Sequence, residues 1–396
     1  MRSTTVEKKP LPEKMLTAAP LAQSSTGESS TVTQSPVESW TEILVRLPPK
    51  ALLRCRAVCR AWRGATSTHD FLLAHHARQP ALPLIYAYNF KCDGDRVKFL
   101  DIIPFDHRVG AATADRLQSV AQIDLSYPGM EVSCDGLLVF SVGENRNLSV
   151  YNPATRQYAP LPQIAGFMLL GMYPHSPTGK YRLLLYLSDA NLGQDGSYVF
   201  SLGSDQSPRY KGYPNAFELM FTRPILFRGN LHWQILESAG NMLKVFDTTA
   251  ESFRQMRAPP LPYPAHLFEM DGMLSMSSFD EATNTTIDIW MSQDYDNELW
   301  ALKYRVKLPV ADLTVQFGKF VEYWNFMVTS RDGGVSMLVK FGEWLLQFDI
   351  NGKLIASFHF RGLVPAEHCL KQTLVQHTFF PMLQGYVVNN SSFIGC

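Results

Sequence analysis

The side chains able to do chemistry in this 396-residue chain are few and scattered. Cys55 and Cys59 with His69 and His75 spell C-x3-C-x9-H-x5-H, near the spacing at which thiolates and imidazoles hold one zinc ion. The interval between the two pairs is shorter than that of a usual finger, and no ββα pattern surrounds them. Cys59 also falls beside Trp62 on a helical pattern, where it is expected to pack. His368 and Cys369 have the residue types of a base and its nucleophile, yet adjacent residues of a strand point to opposite faces. His232, next to Trp233 in an apolar strand pattern, reads as a core histidine. Asp135, Asp271 and Asp332 each precede a glycine and read as turn residues. No glycine-rich phosphate loop, H-E-x-x-H, G-x-S-x-G or C-x-x-C occurs. No catalytic residue, metal site or cofactor is therefore expected.

Composition narrows the partners. Lys+Arg and Asp+Glu both number 36, so the net charge is zero, which argues against a nucleic-acid surface spread over the molecule. Locally the balance breaks: between Glu42 and Asp70 there is no acid, while Arg46, Lys50, Arg54, Arg56, Arg60 and Arg63 are all present. That stretch fits an acidic partner or a solvated helix face. The six cysteines, Cys55, Cys59, Cys92, Cys134, Cys369 and Cys396, form no regular framework, as expected of a reducing compartment. No apolar run is long enough to span a membrane. The first residues lack an apolar core and carry Glu7 and Glu13, unlike a secretory leader. A nuclear or cytoplasmic location follows as an expectation.

The basic stretch is also the most patterned one. Ser35, Pro36 and Glu38 make a helix start: a capping hydroxyl, a proline preset at the first helical position, and a glutamate at the third. A first helix carries Trp40, Ile43, Leu44 and Leu47 at helical spacing, and Pro48-Pro49 is expected to end it. A short second helix over Lys50 to Arg54 presents Leu52 and Leu53. A third, from about Arg56 to Arg63, presents Val58, Cys59 and Trp62. A fourth, His69 to His75, sets Phe71, Leu72 and His75 on one side and closes at Gln79-Pro80. A unit this small buries too little surface to stand alone, so something else must cover its apolar residues.

These residues resemble the F-box, by which substrate receptors dock on the Skp-type adaptor of cullin–RING ubiquitin ligases. The match lies in Glu42-Ile43-Leu44, Arg46-Leu47-Pro48, Leu52-Leu53-Arg54 and the run Arg56-Ala57-Val58-Cys59-Arg60-Ala61-Trp62-Arg63, close to the family's R-x-V-C-[KR]-x-W-[RK]. The resemblance implies adaptor contacts from Pro36, Ile43, Leu44, Leu47, Pro48, Leu52, Leu53, Val58, Cys59 and Trp62, with cullin and RING protein reached through the adaptor. The family usually opens with Leu-Pro and a further leucine, where this chain has Ser35-Pro36 and Ser39. Binding is accordingly expected to lean on the second and third helices.

From about residue 81 the character changes to short apolar runs separated by Gly, Pro, Asn and Asp, the signature of many antiparallel strands. Aromatic strand ends recur at Tyr151, Phe200, Phe246, Trp300 and Phe348, in steps of about 49, 46, 54 and 48 residues, close to a kelch-type blade. Tight glycine turns at Asp135-Gly136, Gly229-Asn230 and Asp271-Gly272 precede strands. Asn152 and Asp247 are placed to hydrogen-bond the backbone two residues on and fix the turn between third and fourth strands. Trp233, Trp290, Trp300, Trp324 and Trp344 read as blade-packing residues. Five repeats, an N-terminal segment near Leu82 to Phe90 and a C-terminal one near Thr373 to Val388 predict about six blades, closed by joining both ends in one blade. Asn152-Pro153-Ala154-Thr155-Arg156 also resembles the N-P-x-T-[RK] turn of the F-box-associated and kelch-like domains that follow plant F-boxes.

The expected architecture is multi-domain. Residues 1–34, rich in Ser, Thr and Pro, read as a disordered tail; 35–78 as a small all-α F-box of three to four helices; and 79–396 as an all-β propeller of about six kelch-like blades. The function implied is that of the substrate-recognition subunit of a Skp–cullin–F-box ligase, binding the adaptor through the helices and an unknown target through the propeller, with no role for nucleic acid or membrane. Two other classes stay open at this stage: a propeller enzyme or carbohydrate-binding module capped by helices, and an F-box scaffold without ligase activity.

Overall fold

The computed structural model describes residues 36–90, 97–106, 117–123, 129–142, 147–188, 193–212, 219, 222–235, 241–261, 265–279, 285–318, 325–331, 334–359, 362–381 and 393–394. The tail expected over 1–34 lies outside them, as do Trp324, Asp332 and the end of the segment expected over 373–388. Four helices come first: α1 (Pro36–Leu44), α2 (Pro49–Val58), α3 (Arg60–Ala65) and α4 (His69–Arg78).

A six-bladed β-propeller follows. Blade 2 is built from Gly129–Cys134, Leu137–Val142, Asn147–Asn152 and Gln157–Pro160, and blade 3 from Met168–His175, Lys180–Leu187, Gly196–Ser201 and Arg209–Gly212. Blade 4 comprises Ile225–Phe227, Asn230–Gln234, Met242–Asp247 and Ser252–Arg257; blade 5, Ala265–Met270, Met273–Phe279, Thr286–Asp294 and Leu299–Lys307. Helix α5 (Val310–Phe317) links blade 5 to blade 6, which comprises Phe326–Arg331, Gly334–Phe341, Trp344–Asp349 and Leu354–His359. Blade 1 unites both ends of the propeller: Leu363–Leu370 pairs antiparallel with Leu82–Phe90, which continues through Val97–Pro104 and Ala121–Ile123 to Phe393–Ile394. The predicted closure is thus found, but its main strand is Leu363–Leu370, and the described part of the segment expected near Thr373 contains no strand. Pro365 and a left-handed Glu367 (φ 55°) interrupt the closing strand's pattern, which hides it in the sequence.

The core is a ring of six apolar clusters, one at each blade-to-blade interface. In blade 2, Leu137 and Val139 pack toward blade 3 with Leu183, Leu185 and Phe200, while Leu138 and Phe140 pack toward blade 1 with Leu100 and Ile102. Alternate residues of one strand therefore enter two different interfaces, which is why the strands read as unbroken apolar runs rather than alternating ones. Trp233, fully buried, also donates its indole N–H to Leu170 O of blade 3 at 3.2 Å. His232 bridges Tyr295 Oη (2.8 Å) and Ile225 O (3.4 Å) and is a core residue.

Two turn types repeat on one rim. Asp135-Gly136, Arg228-Gly229 and Asp271-Gly272 all have positive φ at both residues, the type I′ geometry that joins first and second strands; in blade 4 the central pair is one residue earlier than the sequence suggests. Between third and fourth strands, the Oδ1 atoms of Asn152, Asp247, Asp294 and Asp349 accept from backbone N–H groups two to four residues on, at 2.8 to 3.3 Å. This corrects the repeat. Trp300 lies on a fourth strand, and the marker of blade 5 in phase with the others is Asp294.

Burial pushes the imidazoles of His232 and His377 down to about 4, and burial with the charge of Arg223 pushes His368 to about 3. Unfolded imidazoles titrate near 6.5, so between about pH 6.5 and pH 4 the unfolded chain binds protons that the folded chain refuses, and stability falls as the pH is lowered. His232→Gln should lower the melting temperature at neutral pH yet lose less on acidification, by on the order of 3 kcal/mol at pH 4. Parallel pH profiles for the two proteins would contradict this.

Candidate protein-docking site

The helices sort the residues expected to touch an adaptor onto two faces. Leu44 and Leu52 turn inward with Val45, Phe71 and Leu72, and they pack on Leu374 and Val375 from the segment after the closing strand. Leu52 is fully buried. Leu47 and Trp62 are half-buried against the same cluster. Ile43, Leu53 and Val58 point outward, exposed at 50%, 41% and 69%, and Pro48 and Cys59 are exposed beside them. Pro36 occupies the first position of α1.

Local geometry departs from the sequence pattern at two places. α1 ends at Leu44, Leu47 sits in the following turn, and the second proline opens α2 instead of ending α1. α2 then runs on to Val58, and the break falls at Cys59, which is extended (φ −153°, ψ 161°). Its Sγ accepts from the Trp62 N–H at 3.4 Å, capping α3. Arg56 fixes the α2–α3 corner: its Nε donates to Thr66 Oγ1 at 3.1 Å, and its terminal nitrogen donates to the Thr66 carbonyl. Burial pushes this guanidinium's pKa below its usual value. Lys50, Arg54, Arg60 and Arg63 remain exposed, so the outward apolar side chains lie among cations.

The mount beneath this face is polar and shared. In the turn after α1 the Leu47 carbonyl accepts from His75 Nε2 (2.8 Å) of α4 and from Nε2 of Gln79 (3.2 Å), the residue that caps α4. Burial lowers the His75 pKa. His76 lies 3.9 Å from Asp135, whose other oxygen accepts from Tyr181 Oη at 3.1 Å; the His76 contact holds that carboxyl below its usual range. Asp135 is thus a turn residue that also joins the helices to blades 2 and 3. Asn152, fully buried, donates to Thr373 O at 3.2 Å. A Cβ at Gly136 (φ 87°) would collide with the Lys371 carbonyl, so the strut from residue 371 needs glycine there. Val45, Gln79 and the strut carry no distinctive sequence signal, since each matters through partners far along the chain.

The zinc-like quartet does not assemble: Cys59 caps α3 and His75 Nε2 is bound to Leu47 O. Among the described residues no group of three or more His, Cys, Asp or Glu could hold a metal ion. A polar cluster that sequence reasoning missed lies in the propeller's central channel. The strands lining the axis bring Glu367 and His368 of blade 1 against Arg223, which precedes blade 4 on the far side of the ring, and His266 of blade 5. Arg223 Nη1 donates to His368 Nε2 at 2.8 Å, and Glu367 lies 3.7 Å from Arg223 Nε and 3.4 Å from His266 Nδ1. Acid and imidazole are both engaged by one guanidinium, an arrangement that clasps opposite blades.

Comparison with known proteins finds two matching families. The F-box associated beta propeller domain family matches residues 113–343, and the F-box-like family matches 36–78. F-box protein CPR1 of Arabidopsis thaliana is 24% identical over 373 residues, covering 82% of this chain and 84% of its own. F-box/WD-40 repeat-containing protein 1 of the same plant is 22% identical over 307 residues, covering 71% of each chain. Among solved structures, a chain of a nidogen/laminin complex aligns with 72% of this chain and 99% of its own, at 12% identity and a TM-score of 0.42.

The two faces should separate in mutagenesis. Leu52→Ala empties a buried site and is expected to cost about 2–5 kcal/mol of local stability, read as faster amide exchange throughout α1–α4. Leu53→Ala, one residue on and exposed, should change that exchange by no more than about 0.5 kcal/mol.

Proposed function

The chain belongs to the F-box-associated β-propeller family, and from that premise we propose that it is the substrate-recognition subunit of a Skp–cullin–F-box ubiquitin ligase. Residues 35–78 are the adaptor-docking domain and 79–396 the target-recognition domain. One observation carries the reading: Ile43, Leu53 and Val58 lie exposed on short helices whose opposite side is anchored in the propeller's own strut. Apolar side chains held outward at an entropic disadvantage are those a partner buries. The surrounding cations fit an acidic partner surface.

The receptor carries out no bond chemistry of its own. It binds the target and adaptor at once, and so raises the effective concentration of target lysines near a ligase-bound ubiquitin carrier. The helices take up part of the rim formed by the strand turns, near blade 2. This leaves the opposite rim, with the blade-to-blade connections and α5, as the surface for the target. Nucleus or cytosol is the proposed location; four described cysteines are thiols, and among the described residues no helix is long and apolar enough to cross a membrane.

Leu53→Asp/Val58→Asp should abolish co-purification of the Skp-type adaptor while leaving the melting temperature close to that of the parent, because both side chains are outward. Undiminished adaptor binding would sink the proposal. A target recovered by proximity labelling should protect amides of α5 from exchange; protection confined to the turn rim would reverse the rim assignment.

A further inference from the structure

Where blades 3 and 4 meet on the turn rim, one carboxylate faces three cations. Glu251 closes the third-to-fourth strand turn of blade 4 with a left-handed backbone (φ 50°), and its side chain enters blade 3, where it is 4% exposed. Arg182 pairs with its Oε1, which also accepts from Tyr173 Oη at 3.1 Å. Arg209 Nη2 and Lys211 Nζ reach Oε2 at 2.6 and 2.5 Å. Both oxygens are fully engaged, yet the ion pairs leave two positive charges in excess.

That excess is costly where it sits. The side chains of Arg182 and Lys211 are only 13% and 19% exposed, so two like charges are held largely out of water around one anion. Burial and these same cations lower the pKa of neighbouring His175, which disfavours a further positive charge there. Arg182 Nε is buried without a hydrogen-bond partner. Arg209, 58% exposed, opens the cluster to solvent. The turn itself does not demand this: at the equivalent position of blade 5, Glu298 pairs with Arg257 at 3.0 Å, one acid to one cation.

We propose that this interblade cluster is a binding site for a tetrahedral oxyanion of the phosphate type, free or carried as an ester on a bound molecule. Two guanidiniums and an ammonium, preset by a buried carboxylate, supply the forked donors and point charge that such a group accepts. The site is independent of the adaptor reading, since none of its residues lies on the helices.

Thermal unfolding of the full chain tests it, comparing inorganic phosphate and O-phosphoserine with acetate and chloride at equal ionic strength. Phosphate should give a saturable rise, roughly 1–2 °C at about ten times Kd. Arg209→Gln, whose side chain is mostly exposed, should weaken the apparent affinity about tenfold or more. A matching rise with O-phosphoserine extends the site to a carried ester, and a rise with phosphate alone restricts it to the free ion. No phosphate-specific rise, or one that Arg209→Gln/Lys211→Gln leaves unchanged, overturns the proposal.

Discussion

A propeller blade that is apolar on both faces cannot end a structure; it needs a neighbour on each side. In this chain the need is met six times, and the last time only because Leu363–Leu370 returns to pair with Leu82–Phe90. Each buried Leu, Val or Phe contributes about 1.5–3 kcal/mol relative to exposure, and every blade has such residues directed into two interfaces. An open ring would leave two of these faces in water. Closure is therefore the condition for the core, and the Arg223–Glu367–His368 clasp reinforces it across the axis.

Closure also dictates where the helices can sit. The closing strand delivers the chain to the turn rim, and the residues that follow, Thr373, Leu374 and Val375, meet Asn152 and the inner side of the helices. The small helical unit thereby obtains the apolar cover it cannot provide for itself, while its outer side chains stay available. In the receptor role proposed above, this mount is what ties the helical docking face to the propeller.

Much of this was legible in local chemistry. The proline at the start of α1, the glycine turns at Asp135-Gly136 and Asp271-Gly272 and the Asx-type turns after Asn152 and Asp247 depend on neighbours within a few residues, and they sit where expected. What depended on distant partners was not legible. Leu52 and Leu53 look alike in sequence, and only the strut at Leu374 decides which is inside. The break at Cys59 was hidden because Arg56 and Thr66 set the corner. Blade 5 was mis-phased because Trp300 mimics an aromatic anchor while Asp294 fixes the turn. Glu251 looked like one charged residue among many until the fold placed Arg182, Arg209 and Lys211 around it.

The strut has a temporal consequence. Leu374 and Val375 follow the helices they support by roughly 300 residues, a loop whose closure entropy grows only slowly with length but whose long-range contacts form late. During synthesis the outward face of α1–α3 emerges first and its inner packing late, after four strands of every blade have been made. Until then the helices lack the floor on which Leu44 and Leu52 rest, so a truncated or unclosed chain carries Ile43, Leu53 and Val58 on an unsupported unit. Completion of the ring and competence of the helices are thus one event in the life of the chain.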